Sequence, residues 1–159
     1  MHYDIISAFI KSMRGSDVEA ALYYMSRMLD AGEDPKFIAR RMIIFASEDI
    51  GLAGNGALSL AVAAFQAVER VGLPEASYSL YHCAIALARC QKSREVSDLM
   101  HESRDLAKQF PNSPVPMHVR NAPTKLMKDL GYGKDYKWQP GFRPERGFLP
   151  DDIKTDNVQ

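Results

Sequence analysis

Apolar residues recur every three or four positions in one segment after another along this chain, which is the spacing of α-helices that bury one face. The first such segment, residues 4–14, carries Ile6, Phe9, Ile10 and Met13. No segment alternates apolar and polar residues for long enough to indicate a half-buried strand bounded by hairpin turns. The chain is therefore predicted to fold as an all-α, multi-helix domain.

Residues that start and stop helices stand between these segments. The sequence SDVE matches a capping box, in which the Ser16 hydroxyl and the Glu19 carboxylate satisfy free backbone N–H groups at the start of a second helix. Gly32 follows that helix where a left-handed C-terminal cap is expected. Asp34 and Pro35 then fit the N-cap and the first position of a third helix.

The predicted third helix, 36–50, has apolar residues around more of its circumference than one buried face requires. They are Phe37, Ile38, Met42, Ile43, Ile44 and Phe45. The fourth helix begins at Ala57 after a glycine-rich turn, and its only strongly polar side chains are Gln66, Glu69 and Arg70. A helix of this composition lies either at the centre of a domain or in a subunit interface, and its alanines permit close helix approach.

Two more helices are predicted before the helical pattern ends. One opens at Pro74, and the other runs from a Ser93 cap to near Phe110 and is polar enough to lie on the outside. The sequence PNSPVP then breaks the periodicity, because the residue before a proline disfavours helical backbone. A short helix follows, with Asn121 as the predicted N-cap and Pro123 in its first turn.

These breaks predict three regions. Residues 1–110 form a helical domain, 111–146 form a connector with one short helix and a basic aromatic segment packed on the domain, and 147–159 form a mostly irregular tail that is expected to fray.

Charge is distributed unevenly although the formal net charge is zero. Residues 112–146 hold seven basic and three acidic residues, whereas residues 1–111 hold 12 basic and 14 acidic ones. Basic groups beside stacking aromatic residues suit a single-stranded or forked nucleic-acid backbone. The alternative is a solvated basic face whose aromatic residues fix the segment to the core. The group comprises Arg120, Lys125, Lys128, Lys134, Lys137, Arg143 and Arg146, interleaved with Tyr132, Tyr136 and Trp138.

No catalytic, cofactor or metal site is predicted. His82, Cys83, Cys90 and His101 lack the close spacing of zinc ligands, and both cysteines are expected to pack as small apolar residues. No G-x-S-x-G elbow marks a nucleophile. No run of about 18 apolar residues predicts a membrane span, and the two unpaired cysteines fit a reducing, cytoplasmic compartment.

Several long stretches resemble one known family in order along the chain. HYDIISAFIKSMRGSD, LAVAAFQAVERVGLPE and PVPMHVRNAPTKLMKDLGYGKDYKW are similar to the C-terminal half of the RarA/MgsA AAA+ ATPases, relatives of the Werner-helicase-interacting ATPase. The resemblance implies a helical collar similar to that of clamp-loader subunits and assembly as a homotetramer. It also implies a parent protein whose DNA-stimulated ATPase acts at stalled replication forks, in the nucleoid, with single-strand-binding protein.

This chain departs from the parent in one decisive respect. It has no G-x-x-x-x-G-K-[ST] loop to hold phosphates and no strand ending in paired acids to hold magnesium. We therefore predict no nucleotide cofactor and no ATPase activity in this chain, with an upstream ATPase domain as one of its partners.

Two sets of site residues follow. The predicted oligomer interface comprises Phe37, Arg41, Phe45, Glu48, Asp49 and Phe65. Glu48 and Asp49 stand at a helix C-terminus that disfavours negative charge, so they need cations from their own helix, another helix or another subunit. The predicted DNA-binding set comprises His118, Arg120, Lys125, Lys128, Lys134 and Lys137. His118 and Arg120 either bind a phosphate or bond carbonyls and lock the connector.

Three hypotheses of function result: an oligomerisation module, a DNA-binding module that acts through residues 118–143, and a free-standing enzyme. The last has no catalytic residues to support it. The broad apolar surfaces of the third and fourth helices favour the first, since a monomer would expose them to water.

Overall fold

The computed structural model describes residues 2–154 of the chain, and within that range it contains seven α-helices and no β-strand. The helices are α1 (His2–Arg14), α2 (Val18–Asp30), α3 (Pro35–Phe45), α4 (Gly56–Val71), α5 (Ser77–Arg89), α6 (Glu95–Gln109) and α7 (Lys125–Asp129). A π-helix (Ala46–Ile50) and two 3₁₀ turns (Gly51–Ala53 and Met117–Val119) complete the regular structure. The all-α prediction is confirmed. Met1 and 155–159, the end of the predicted tail, lie outside the described residues.

The chain divides into two compact units, Met1–Glu102 and Ser103–Gln159, and the division falls within α6. In the first unit, α5 packs against each of α1, α2, α3 and α4. Helix α4 buries Ala57, Ala61 and Ala64, as the close approach of helices requires. The largest fully buried side chains of this core are Phe9, Met13, Met25, Ile38, Met42, Phe45, Ile50, Leu80 and Leu87.

The turn between α1 and α2 differs from the predicted capping box, which is wrong. Asp17 is the N-cap of α2, because its carboxylate accepts a hydrogen bond from the Ala20 N–H at 3.0 Å and its backbone is extended. Ser16 cannot serve, since its φ of 61° places it in the left-handed region. Its hydroxyl instead accepts a hydrogen bond from Lys92 Nζ at 3.0 Å.

At the other helix ends, three predicted signals are confirmed and one predicted cap is corrected. Gly32 closes α2 with a φ of 84°, Asp34 caps α3 with Pro35 in its first turn, and the Ser93 hydroxyl accepts from the Glu95 N–H. The cap of α7 is Thr124 rather than Asn121. Helix α7 begins only after Pro123, so the Thr124 hydroxyl, and not the Asn121 side chain, reaches the Met127 N–H at 3.2 Å.

The predicted third helix spans the expected residues, but its type changes from α-helix to π-helix along its length. It is α-helical to Phe45 and continues as the π-helix to Ile50. The Asp49 carbonyl accepts a hydrogen bond from the Ser93 N–H at 2.9 Å. Gly51 ends the segment with a φ of 49°, and a Cβ atom at this position would lie 3.0 Å from Val96 Cγ2.

Helix α6 buries none of its residues, as its polar sequence predicts. In the described part of the second unit, 103–154, the buried residues are Pro116, His118 and Gly147, so this unit is not organised around an apolar core. No helix within 2–154 has the length and the apolar character needed to cross a membrane.

Substituting Gly51 with alanine should destabilise the first unit. The left-handed backbone and the contact with Val96 together predict a loss of about 1–3 kcal/mol in the free energy of unfolding, measured with urea. Gly56→Ala is the matched control, because a Cβ there meets nothing within 4 Å. Equal unfolding midpoints for the two variants would show that Gly51 is not under this constraint.

Candidate functional site

The two acidic residues at the end of the third helix have different surroundings. Asp49 accepts a hydrogen bond from Arg14 Nε at 2.8 Å, and the Asp49 side chain is only 11% exposed. The compensating cation thus comes from another helix, α1, in agreement with one of the three predicted sources. Glu48 is exposed and makes no ion pair with a residue of the described chain. The Asp49 carboxylate is therefore paired within the first unit, whereas the Glu48 carboxylate faces solvent.

The predicted interface phenylalanines are not equally accessible. Phe45 is 1% exposed and lies in the core, so no second subunit can reach it and we do not retain it in the interface. Phe37 and Phe65 are half-buried and pack against that core. The Arg40 guanidinium stacks over the Phe65 ring at 5.5 Å, which links the outer side of α3 to the outer side of α4.

Four apolar residues on this side of the unit are left uncovered. Ile44 is 46% exposed, Leu52 54%, Leu58 43% and Val62 36%. Ile44 follows Arg40 by one turn of α3, and Val62 precedes Phe65 by one turn of α4, so both flank the cation–π contact. We call these four residues the α3–α4 face. The helical pattern predicts wide apolar surfaces here, but not which of the apolar residues the core leaves outside.

Arg41 stands beside this face with an unsatisfied donor. Its Nε atom is buried and has no hydrogen-bond partner within the described residues. Burying a donor without an acceptor costs about 1–3 kcal/mol, so such groups are rare in proteins.

His118 occupies the centre of the second unit. It is 2% exposed, its Nε2 lies 2.8 Å from the Gly147 carbonyl oxygen, and its Nδ1 accepts from the Arg146 guanidinium at 2.6 Å. The Phe148 ring stacks on it at 6.2 Å. This histidine locks the connector to residues 146–148 and is not available to a phosphate. Its place in the DNA-binding set stays a prediction, and these contacts match the alternative in which His118 locks the connector.

Arg120 also makes contacts that hold the connector in place. Its Nε donates to the Val115 carbonyl at 2.7 Å, and its guanidinium lies 5.3 Å over the Tyr132 ring and donates to the Tyr132 hydroxyl at 3.3 Å. It thus bonds a carbonyl of the connector, which was the second of its two predicted roles. Arg120 also lines a groove.

That groove lies in the second unit and has a volume of about 660 Å³. Lys128 and Lys134 line it together with Tyr132 and Tyr136, and Asp129 contributes an opposing charge. Tyr136 is half exposed and meets the edge of Phe142. The groove thus brings two of the predicted DNA-binding lysines together with two of the interleaved aromatic residues.

The remaining members of the DNA-binding set lie outside this groove. Lys125 and Lys137 are exposed but do not line it. Trp138, at 85% exposure, is the most exposed aromatic residue of the segment and the only tryptophan in the chain. The contact partners of His118, Gly147 and Arg146, could not be predicted from the sequence pattern. Gly147 acts through its backbone carbonyl, which no side-chain pattern reveals.

The residues considered for metal binding do not come together. No group of three His, Cys, Asp or Glu residues capable of holding a metal occurs within 2–154. Cys83 is fully buried and Cys90 is half-buried, both with free thiols, as their predicted packing role requires. Burial raises the pKa of the Cys83 thiol from 9.0 to about 12, and Cys90 contributes in the same direction.

Lys92 is positioned by the end of α5. Its ammonium group donates to the Ala88 carbonyl at 2.9 Å and to the Cys90 carbonyl, in addition to Ser16. Partial burial lowers the pKa of Lys92. The lysine joins the C-terminus of α5 to the turn between α1 and α2, so it is a structural residue.

The buried Cys83 thiol predicts a loss of stability in alkaline solution. Between pH 9 and pH 12 the unfolded chain releases the Cys83 proton while the folded chain keeps it, so stability falls as pH rises. Cys83 should account for a loss of about 2 kcal/mol in unfolding free energy between about pH 8 and about pH 10.5.

Urea unfolding of the wild type and of Cys83→Ala across this range measures the effect. The difference between the two proteins should shrink as pH rises, because only the wild type loses the cysteine contribution. Cys90→Ala is the control that retains Cys83, and it should keep most of the pH dependence, because burial is the larger cause of the raised pKa of Cys83 and Cys90 the smaller one. Parallel curves for wild type and Cys83→Ala would contradict the prediction.

The chain is similar to known proteins over nearly its whole length. The family model described as MgsA AAA+ ATPase C terminal matches residues 15–158. ATPase WRNIP1 of Dictyostelium discoideum is 46% identical over 158 residues, covering 97% of this chain and 18% of that protein. Replication-associated recombination protein A of Escherichia coli K12 is 43% identical over 136 residues, covering 86% of this chain and 30% of that protein.

A third relative is an uncharacterized AAA domain-containing protein of Mycobacterium tuberculosis, 50% identical over 155 residues. The match covers 96% of this chain and 34% of that protein. The chain thus spans about a third or less of the length of each of these relatives.

Proposed function

Because the chain belongs to the family described as MgsA AAA+ ATPase C terminal, we propose that it is the oligomerisation module of a AAA+ ATPase acting in replication-associated recombination. In this proposal the chain assembles with copies of itself, as a homotetramer, and fixes the spacing of ATPase domains that lie elsewhere in the parent protein. The chain itself hydrolyses no nucleotide. DNA and single-strand-binding protein are the proposed partners of the parent.

The α3–α4 face is the observation that carries the proposal. Ile44 on α3, Leu58 and Val62 on α4, and Leu52 in the turn between these helices expose apolar surface to water. Each square ångström of apolar surface removed from water contributes about 25 cal/mol, so covering this face by another subunit is favourable.

Light scattering of the purified chain over a dilution series tests the proposal. The expected result is a mass four times the 17.8 kDa of one chain, stable on dilution. A mass of one chain at all concentrations would contradict it.

Acidic substitution of the face should separate the subunits. In Leu58→Asp/Val62→Asp, assembly must bury two carboxylates per chain, so the dissociation constant should rise about a hundredfold or more. Because both positions are exposed, the variant should retain its helical circular dichroism. Tyr78→Asp is the matched control, since Tyr78 is 85% exposed on α5, outside the face. An unchanged mass for the double variant would place the interface elsewhere.

A second candidate function is binding of single-stranded nucleic acid, favoured by the groove that collects Lys128, Lys134, Tyr132 and Tyr136. Lysines supply attraction to phosphates, and exposed tyrosines supply faces on which unpaired bases stack. The opposing Asp129 limits the positive charge of the groove. The expected affinity is therefore modest and falls steeply with salt.

The quenching of Trp138 fluorescence by an oligothymidylate at low salt measures this binding without a label. Lys128→Glu/Lys134→Glu should weaken binding about tenfold or more, because both charges are reversed in the groove. Lys36→Glu/Arg89→Glu, which has the same change of net charge on the first unit, is the control. Equal affinities for the two variants would reject the groove as the binding site.

A further inference from the structure

A second concavity of the second unit, which we call the aromatic pocket, adjoins the groove and has a volume of about 420 Å³. Arg120, Asn121 and Tyr136 line both the groove and the pocket. A molecule that lies in the groove can therefore extend into the pocket past these three residues. The residues that line the pocket but not the groove are His118, Val119, Phe142 and Phe148.

The rings around the pocket hold one another in place. Tyr136 meets Phe142 edge to face, with ring centroids 5.8 Å apart, and Phe148 stacks on His118. Both nitrogen atoms of His118 are already bonded, so only its ring is left to contribute to the pocket. Tyr136 is still 51% exposed and Phe148 41%. Fixed aromatic rings with accessible surface suit a ligand that is itself flat and aromatic.

Free polar groups stand at the rim that the pocket shares with the groove. Asn121 is exposed, and its side-chain amide has no hydrogen-bond partner among residues 2–154. This amide offers a donor and an acceptor side by side, which is also how polar groups are arranged on the edge of a nucleobase. Arg120 is held at the same rim by the Val115 carbonyl. The pocket thus joins aromatic walls to a rim that can bond a polar edge.

We propose that the aromatic pocket accepts one unpaired nucleobase of a strand whose phosphates lie along Lys128 and Lys134 in the groove, an inference that rests on the second candidate function and specifies its ligand. The base lies against the rings of the pocket, and its edge meets the Asn121 amide. A base in a duplex is stacked and paired and cannot enter. The pocket therefore selects single strands, in which bases are free to turn outward.

Two kinds of contact then hold the strand. The groove lysines attract phosphates, and this attraction weakens as salt is added. Stacking of a base on aromatic side chains depends on the base and contributes about fivefold to a hundredfold in affinity. The phosphate contacts and the base contacts can therefore be measured separately, with strands that have bases and strands that lack them.

Two labelled strands of equal length and charge provide the probes, and fluorescence anisotropy with the full chain at low salt measures their binding. One is an oligothymidylate, and the other consists of abasic units with the same phosphates. The wild type should bind the oligothymidylate about tenfold or more tightly than the abasic strand. Because Tyr132 and Tyr136 in the groove can also stack on bases, variants of the pocket alone are needed.

Two such variants change the pocket in opposite ways. Phe148→Ala removes a wall that does not line the groove, and Val119→Phe, at a position 40% exposed, fills the pocket without removing a ring. Each should weaken oligothymidylate binding about fivefold or more and leave binding of the abasic strand unchanged, because the groove lysines are untouched. Unchanged abasic binding also shows that the second unit is still folded. Tyr78→Ala, an exposed aromatic residue of the first unit, is the control that should alter neither affinity.

The outcomes separate this inference from the second candidate function. Loss of oligothymidylate affinity in both pocket variants, with abasic binding retained, supports a nucleobase pocket. Wild-type oligothymidylate affinity in both variants overturns the pocket, and the groove then remains a site for the strand if Lys128→Glu/Lys134→Glu weakens binding of both probes. A wild type that binds neither strand overturns both.

Discussion

The packing of α5 against four other helices is the contact on which the first unit depends. Leu80, Cys83, Ala84, Leu87 and Ala88 face inward from this helix, and three of the five are small, so its neighbours can approach closely. Because α1 to α4 all pack against this one helix, their outer sides point away from it. The α3–α4 face is one of those outer sides, and its exposure follows from the use of the opposite sides of α3 and α4 in the core.

The second unit is stabilised in another way. With few buried apolar side chains in 103–154, it relies on bonds between polar side chains and the backbone or other polar groups. The Ser113 hydroxyl donates to the Asp152 carboxylate at 2.7 Å, and His118 joins the connector to Gly147 and Arg146. Such bonds hold an irregular segment in one conformation. The lysines and tyrosines that line the groove stand on this segment, so the same bonds fix their positions.

At the candidate sites, residue type alone does not predict which side chains are buried and which are accessible. Phe45 and Phe65 have the same side chain on adjoining helices, yet Phe45 is in the core while Phe65 lies half-buried beneath Arg40. Likewise His118 and Lys128 both belong to a basic segment, but only Lys128 is free to meet a ligand at the groove. In both pairs the two residues differ in burial and contacts because the tertiary structure surrounds them with different neighbours. The chemistry of the side chain alone does not predict this difference.

Apolar spacing and capping chemistry act within a few residues, so the all-α class, the order of the main helices and many helix ends could be predicted from the amino-acid sequence. The predicted caps at Ser16 and Asn121 were wrong, because a backbone angle or a nearby proline moved the cap by one to three positions. The pairing of Asp49 with Arg14, the burial of His118 and the exposure of Ile44 and Val62 became visible only in the folded chain. Those outcomes depend on contacts between residues distant in the chain, and a helical pattern specifies a buried face without specifying what covers the others.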